Sequence, residues 1–589
     1  MAAAAQRLSR LQCQASHATW PLPRRALSST AAAPQLRSIA QCLAFHAKRT
    51  PDAIAVTEAG GGLAERSVTY AELEERSSRL SHAYAAKLGA AAALGRIVTL
   101  ALPNSIELLE AACAVWKLGG APSPVSTSMP AAELQRVLKV ADPCMIVGLT
   151  DGSSSPVSAM SIEGVPVIPQ GFQPDNALPV TAPFGGAIVP PHYKAPLSGG
   201  STGTPKVILS GQPGKFDPEA NFLQLGQGGA ILIPGPCSHN VPFMWSTHSL
   251  LQGKHVVLMR RFDAHEALRL LAAHRCDYVP LVPTMMHRIM QLDRRDRDAH
   301  DLSALRILFH VAAPCAPALK QAFIDWLGAE RVHELYAGTE ATGVTYITGS
   351  EWVERRGSVG RFINETEGAI FSEGGERLAA GQTGLVYMRL KETHPLYHAG
   401  GNYSYVGAPP ASKLAGGWET VGDVGWMDEE GYLYLADRLA DLILVGGRNV
   451  YPAEVESAIL SLPTSQSHVR SGCSDILEDA CTPTELVELP AVRSCAVIGR
   501  ADDDLGNTVH AIVDVGEAAL QQPDACKALV DALQAHLNAE LSPYKLPRSF
   551  ELVSTPLRDD AGKVRRSELR RQREASSYGK EGRGVLYHV

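Results

Sequence analysis

The sequence predicts an α/β protein in which a large, layered N-terminal α/β domain precedes a small α+β domain. Length and periodicity carry this expectation. The chain has 589 residues, 45% of them apolar, enough to bury extensive cores and too many for one. Short apolar runs alternate with helix-period segments up to about Val421, the signature of strands layered with helices, and a second alternation begins beyond Ala440. In order, Ile54–Thr57 and Ile97–Leu102 read as strands and Ile106–Leu118 as an amphipathic helix. Past Ala440, Ala496–Gly499 and Ala511–Val513 read as strands and Cys526–Leu541 as a helix.

Composition narrows the function classes. A net charge of −7 gives no basic footprint for nucleic acid. The 11 cysteines form no C-x-x-C pair or zinc-ligand spacing, which implies free thiols in a reducing interior. No apolar run has the length of a transmembrane helix. Before Asp52 there is no Asp or Glu, while Arg7, Arg10, Arg24, Arg25 and Arg37 punctuate an Ala/Ser/Leu-rich stretch. Residues 1–36 therefore read as a transit peptide, mitochondrial by the processing-like Arg24–Ser29, with a plastid signal or a cytoplasmic N-terminal extension as alternatives.

Ser198-Gly199-Gly200-Ser201-Thr202-Gly203-Thr204-Pro205-Lys206 is dense enough in glycine and hydroxyl residues to wrap an oligophosphate. Glycines admit close backbone approach, successive N–H groups form an anion nest, and Lys206 adds charge. It is not a Walker loop, because Thr204-Pro205 separates the last glycine from the lysine and no hydroxyl residue follows. Four more motifs follow: Tyr336-Ala337-Gly338-Thr339-Glu340, Val421-Gly422-Asp423, Asp437-Arg438-Leu439-Ala440-Asp441 running into Gly446-Gly447-Arg448, and Gly562-Lys563-Val564-Arg565.

Together these motifs, across about residues 37 to 570, resemble the adenylate-forming superfamily of acyl-CoA synthetases, carrier-loading adenylation domains and beetle-type luciferases. Arg261–Ala264 and Val282–Arg288 resemble its branch of bile-acid and fatty-acid CoA ligases. The resemblance implies an AMP-binding domain over 37–439, a mobile C-terminal lid over 440–575 with an insertion at about 464–488, and a tail at 576–589. It implies that a carboxylic acid, fatty or otherwise hydrophobic, reacts with ATP to give an acyl-adenylate and is then passed to CoA. Loading of a carrier protein's phosphopantetheine, or a non-catalytic AMP- or acyl-binding role, are the alternatives.

The site residues follow motif by motif. Ser201, Thr202, Gly203 and Lys206 would hold the β- and γ-phosphates, Thr339 the α-phosphate, and Glu340 a Mg²⁺ ion through oxygen. For a Thr-Glu pair the competing reading is a helix N-cap. Asp423 and Arg438 would meet the ribose, and Tyr336 and Ala313 would flank adenine. Val311 and Ala312 stand where the family usually has two glycines, which narrows that slot. His239 would gate the acyl site, and Cys237 beside it reads as a packing thiol. Lys563 would reach the α-phosphate and carboxylate during adenylation, after which rotation brings Gly446 and Gly447 to the thiol tunnel. The family's charged hinge residue is replaced by Ala440. The basic run Lys563 to Arg573 reads either as reaching toward a CoA phosphate or, past Arg566, equally well as a solvated helix face, and Cys473 and Cys481 fall within the insertion, which reads as a surface loop with a regulatory disulfide as the alternative.

Overall fold

The computed structural model describes residues 35–89, 93–148, 162–198, 206–226, 228–394, 401–410, 413–462, 489–502, 504–559, 562–574 and 584–588. Most of the transit-peptide segment, the insertion with Cys473 and Cys481, and Ser201, Thr202 and Gly203 lie outside them.

Six strands, Ile54–Gly60, His255–Met259, Ala230–Ile233, Cys276–Leu281, Ile307–His310 and Val332–Ala337, lie side by side in that order and run parallel. Parallel strands covered on both faces need continuous apolar runs. Ala230–Ile233 is accordingly buried at every position, and Val256–Met259 likewise. The last of the six pairs antiparallel with Val344–Thr348 on its other side, and the sheet continues through Ser358–Phe362, Leu433–Arg438, Asp423–Met427 and Gly384–Leu390. A smaller parallel sheet orders Ala121–Pro124, Ile97–Leu100, Met145–Val147 and Val167–Ile168. A three-stranded sheet orders Tyr403–Val406, Lys206–Ser210 and Leu197–Ser198.

The helix Ile106–Lys117 departs from its amphipathic expectation, since all of it but Glu107 is buried. It packs on the helices Ile39–Arg49 and Tyr70–Leu88 and touches strands of both parallel sheets. Its ionisable side chains are buried against opposite charges: Lys117 Nζ meets Glu74 at 2.9 Å, and Arg76 meets Glu110 at 2.8 Å, although burial still pushes the Glu110 carboxyl up to about 7. Among the described residues, no helix is long and apolar enough to cross a membrane, and the cysteines are free.

A separate core begins at Ile443. A hairpin of Ile443–Val445 and Arg448–Val450 leads to the helix Pro452–Leu460, and a sheet orders Ser494–Asp502, Gly506–Asp514, Ser549–Val553 and Gly584–His588. The helix Pro523–Glu540 buries Cys526, Leu529, Leu533 and Leu537 in that core. Gly584–His588 lies in the stretch the sequence reads as a tail and pairs antiparallel with Ser549–Val553.

The basic helix Arg566–Glu574 corrects one expectation. Arg573 does not lie on a solvated face: it is buried, and its guanidinium meets both oxygens of Glu551 at 2.6 and 2.9 Å. Arg566, Leu569 and Arg573 fall on one helix face, which turns inward. His510 Nε2 lies 3.2 Å from the same carboxylate. Arg573→Ala, which strips a buried carboxylate of its partner, is expected to cost about 3–5 kcal/mol in denaturant unfolding. Arg571→Ala, at an exposed position on the same helix, serves as the near-neutral control.

Candidate active site

The carboxyl ends of the parallel strands gather most of the motif residues. Ala230–Ile233 runs on to Pro236–His239, Cys276–Leu281 to Val282-Pro283-Thr284, Ile307–His310 to Val311–Pro314, and Val332–Ala337 to Gly338-Thr339-Glu340. Open α/β sheets bind ligands in the crevice at these ends, where strand order or direction changes. His239 takes the N-cap position of the helix Asn240–Leu251 and is half-buried. Cys237 is fully buried, with its thiol pushed up to about 12 by burial, and is a packing group.

Thr339 and Glu340 form a turn after the strand, so the helix-cap reading of this pair does not apply. A Cβ on Gly338 would lie 3.1 Å from Glu340 Oε2 and 3.3 Å from Val421 Cγ1, so a larger residue there would press on the Glu340 and Val421 side chains. Glu340 is buried, and its Oε1 accepts the Tyr405 hydroxyl at 2.7 Å and stands 3.6 Å from Lys206 Nζ. Lys206 lies opposite Ser198 across an antiparallel strand pair. Tyr405 was absent from the sequence reading. The alternation in Tyr403-Ser404-Tyr405 was the available signal, since it puts two tyrosines on one strand face.

Asp423 and Arg438 are directly opposed across adjacent antiparallel strands, with Arg438 Nε 3.3 Å from Asp423 Oδ1. The Tyr336 hydroxyl donates to Asp423 Oδ2 at 2.5 Å. Burial, with Asp423 beside it, raises the Tyr336 pKa, so the phenol stays protonated and donating. An ionised carboxylate has about four lone-pair sites, so Asp423 retains acceptors for a diol. Ala313 follows Ile307–His310, the strand next to the one that carries Tyr336. Ala312 before it adopts φ of +72°, in the left-handed region that glycine enters freely. Beneath this stretch, Lys320 Nζ meets Glu334 at 2.6 Å, both buried.

The C-terminal domain brings Lys563 to the same place. A Cβ on Gly562 would lie 3.0 Å from Thr284 Oγ1, and Gly562 itself takes φ of +76°. The Lys563 N–H donates to the Asp559 carboxylate at 2.9 Å, which pins the turn. Partial desolvation lowers the Lys563 pKa from that of an ordinary lysine, Arg438 acts in the same direction, and Asp559 and Glu340 oppose it. Arg438 and Glu340 therefore lie within electrostatic reach of this ammonium. Further contacts between the domains include Arg565 to Glu133 at 3.3 Å, His287 and Gln291 to the Val492 carbonyl at 3.0 and 3.2 Å, and the Ala453 N–H to the Asp437 carboxylate at 2.8 Å. Gly446 and Gly447 are not brought in. They form the exposed turn of the hairpin at Ile443–Val450, with φ of +54° and +75°. Ala440 is exposed in a short turn of 3₁₀ helix, and Asp441 beside it pairs with Arg566 at 2.8 Å.

A two-domain nucleotide-binding enzyme is what this fold and site define. The chain belongs to the AMP-binding enzyme family, whose profile matches residues 43–398, and the family's C-terminal domain matches 484–563. It is 27% identical over 559 residues to a fatty acid–[acyl-carrier-protein] ligase of Streptomyces coeruleorubidus, covering 91% of this chain and 96% of that one. It is 29% identical over 534 residues to a feruloyl-CoA synthase of an Amycolatopsis species, covering 89% and 97%. ATP-bound MatB from Rhodopseudomonas palustris shares the fold, with a TM-score of 0.70 at 21% identity, covering 91% of this chain and 99% of that one.

The left-handed alanine offers a direct check on the backbone of this stretch. Ala312→Gly is expected to stabilise the protein by about 1 kcal/mol, since an alanine at positive φ carries a steric penalty of that order. Equilibrium unfolding of the variant measures it.

Proposed function

We propose that the protein is an ATP-dependent acyl-CoA synthetase that activates a carboxylic acid as its acyl-adenylate and transfers the acyl group to CoA. The observation that carries this reading is the approach of the small domain's Gly562-Lys563 turn to Thr284, at the strand ends of the large domain where two of its sheets bring Lys206 within 3.6 Å of Glu340. A carboxylate that attacks an α-phosphate meets another anion, and cations fixed in advance lower that barrier. Lys206 holds the departing phosphates, Lys563 bridges the α-phosphate and the incoming carboxylate, and Asp423 with Arg438 fixes the ribose so that attack is in line.

The Glu340 carboxylate fits a Mg²⁺ site. Among the described residues no group of three or more His, Cys, Asp or Glu could cage a metal, and Mg²⁺ is typically held by one or two carboxylates together with substrate phosphates. When bound there, Mg²⁺ would neutralise phosphate charge and favour release of pyrophosphate. Glu340 would supply the oxygen ligand, and the Tyr405 hydroxyl, which donates to its Oε1 at 2.7 Å, helps to orient that carboxylate.

Thiol transfer needs the Gly446–Gly447 turn, which the present arrangement holds away from the site, so rotation of the lid separates the two half-reactions. A fatty or other hydrophobic acid suits the family branch that the motifs resemble. The similarity to a carrier-protein ligase favours a second reading, with a carrier's phosphopantetheine as acceptor, and competition between free CoA and a pantetheinylated carrier decides between them. The composition of residues 1–36 supports a mitochondrial address. A fluorescent fusion of the full chain is expected in mitochondria, and a fusion that begins at Leu36 in the cytosol; identical distributions would reject the transit peptide.

The half-reactions test the central reading. Lys563→Ala is expected to lose acyl-AMP formation by roughly a hundred- to a thousandfold while converting supplied acyl-AMP and CoA at near the parent rate. Gly447→Trp is expected to do the reverse, since a side chain there meets nothing within 4 Å in the present arrangement. Parallel loss of both half-reactions in both folded variants would refute alternation.

A further inference from the structure

We propose that Tyr405 is a positioning residue for the metal–nucleotide site, presenting its hydroxyl to Glu340 and its ring face to Lys206. This inference rests on the assignment of Glu340 as the Mg²⁺ ligand. Lys206 and Glu340 come from different sheets, and left to themselves a lysine and a buried carboxylate would close to a direct, charge-assisted hydrogen bond. Such a bond would occupy both the phosphate-binding cation and the metal-binding anion. The geometry prevents it. The Lys206 ammonium stands 3.8 Å from the centroid of the Tyr405 ring, within cation–π range, and 3.6 Å from Glu340 Oε1. The Tyr405 hydroxyl donates to that same Oε1 at 2.7 Å. Glu340 Oε2, against Gly338, is left as the oxygen for a hard cation. One side chain thus orients the carboxylate and keeps the ammonium available for phosphate.

The strand that carries Tyr405 is built as a bridge. Tyr405 pairs with Ile208 in the three-stranded sheet, two residues beyond Lys206. Its neighbour on the same face, Tyr403, has its ring 4.9 Å away and donates to Glu419 at 2.6 Å. The two tyrosines make the same kind of bond to carboxylates of the main sheet, and only one of those carboxylates belongs to the site. Tyr403 is therefore an internal control for a role confined to joining the sheets.

The test is equilibrium binding of α,β-methylene-ATP to the full chain, with Mg²⁺ varied and, separately, in EDTA. Tyr405→Phe keeps the ring and removes the hydroxyl. It is expected to raise the half-saturating Mg²⁺ concentration roughly tenfold to a hundredfold, the range for groups that orient a metal ligand, and to leave binding in EDTA unchanged. Tyr405→Leu is expected also to weaken binding in EDTA by about two- to fivefold, through loss of the cation–π contact. Tyr403→Phe is expected to leave the Mg²⁺ midpoint at that of the parent. An unshifted midpoint in Tyr405→Phe, an equal shift in Tyr403→Phe, or loss of the folded state in Tyr405→Phe would overturn the proposal. Glu340→Gln separates this from the parent reading. If it abolishes the Mg²⁺ response while Tyr405→Phe does not alter it, only the role of Tyr405 fails; if Glu340→Gln keeps the response, the metal assignment itself fails.

Discussion

The strand Val332–Ala337 is the constraint on which the site depends. It has a parallel neighbour on one side and an antiparallel neighbour on the other, so the crevice at its carboxyl end opens where the sheet changes direction. Tyr336 near its end reaches the Asp423 carboxylate, and the turn after it delivers Glu340 to Lys206. The residues proposed to hold the two ends of a nucleotide are thus referred to a single strand. Its register is held from below by the buried Lys320–Glu334 pair, a contact whose loss would strand a charge in the core.

The small domain is tied firmly within itself and loosely to its neighbour. Arg566 joins Asp441 to Glu456, and Arg558 also reaches Glu456, all partly or wholly buried. Among the described residues, the contacts across the domain boundary include a partly exposed ion pair, two hydrogen bonds to a single carbonyl, the Gly562 turn and the Ala453 N–H donating to Asp437 at 2.8 Å. Because Asp441 is engaged by Arg566, its charge travels with the small domain, and the neighbouring Ala440 bears none. A backbone swivel at this point needs permissive dihedrals only.

Motif order in the sequence revealed the family, and strand periodicity located the elements near Ile54, Ile97, Ala496 and Ala511 to within a few residues. What remained hidden was set by tertiary partners. The helix Ile106–Lys117 reads as amphipathic because Glu110 and Lys117 are charged, yet both are buried against partners from a different helix. Arg573 reads as solvated for the same reason. Tyr405 escaped notice because the residue it serves lies 65 positions away, and only the pairing of Tyr403–Val406 with Lys206–Ser210 brings them together. Conversely, the departure from glycine at Ala312 was visible as a substitution, and its meaning emerged with the positive φ.

The bond between Arg565 and Glu133 joins two side chains that remain in contact with water, at 61% and 25% exposure. Its strength is therefore set partly by the dissolved ions around it, since the screening length falls from about 8 Å at physiological ionic strength to about 3 Å at 1 M. A pair of this kind contributes little in dilute buffer and less in brine. If the small domain rotates as proposed, the balance between its docked and undocked positions is consequently a property of the medium as well as of the chain, and concentrated salt shifts it toward the undocked one.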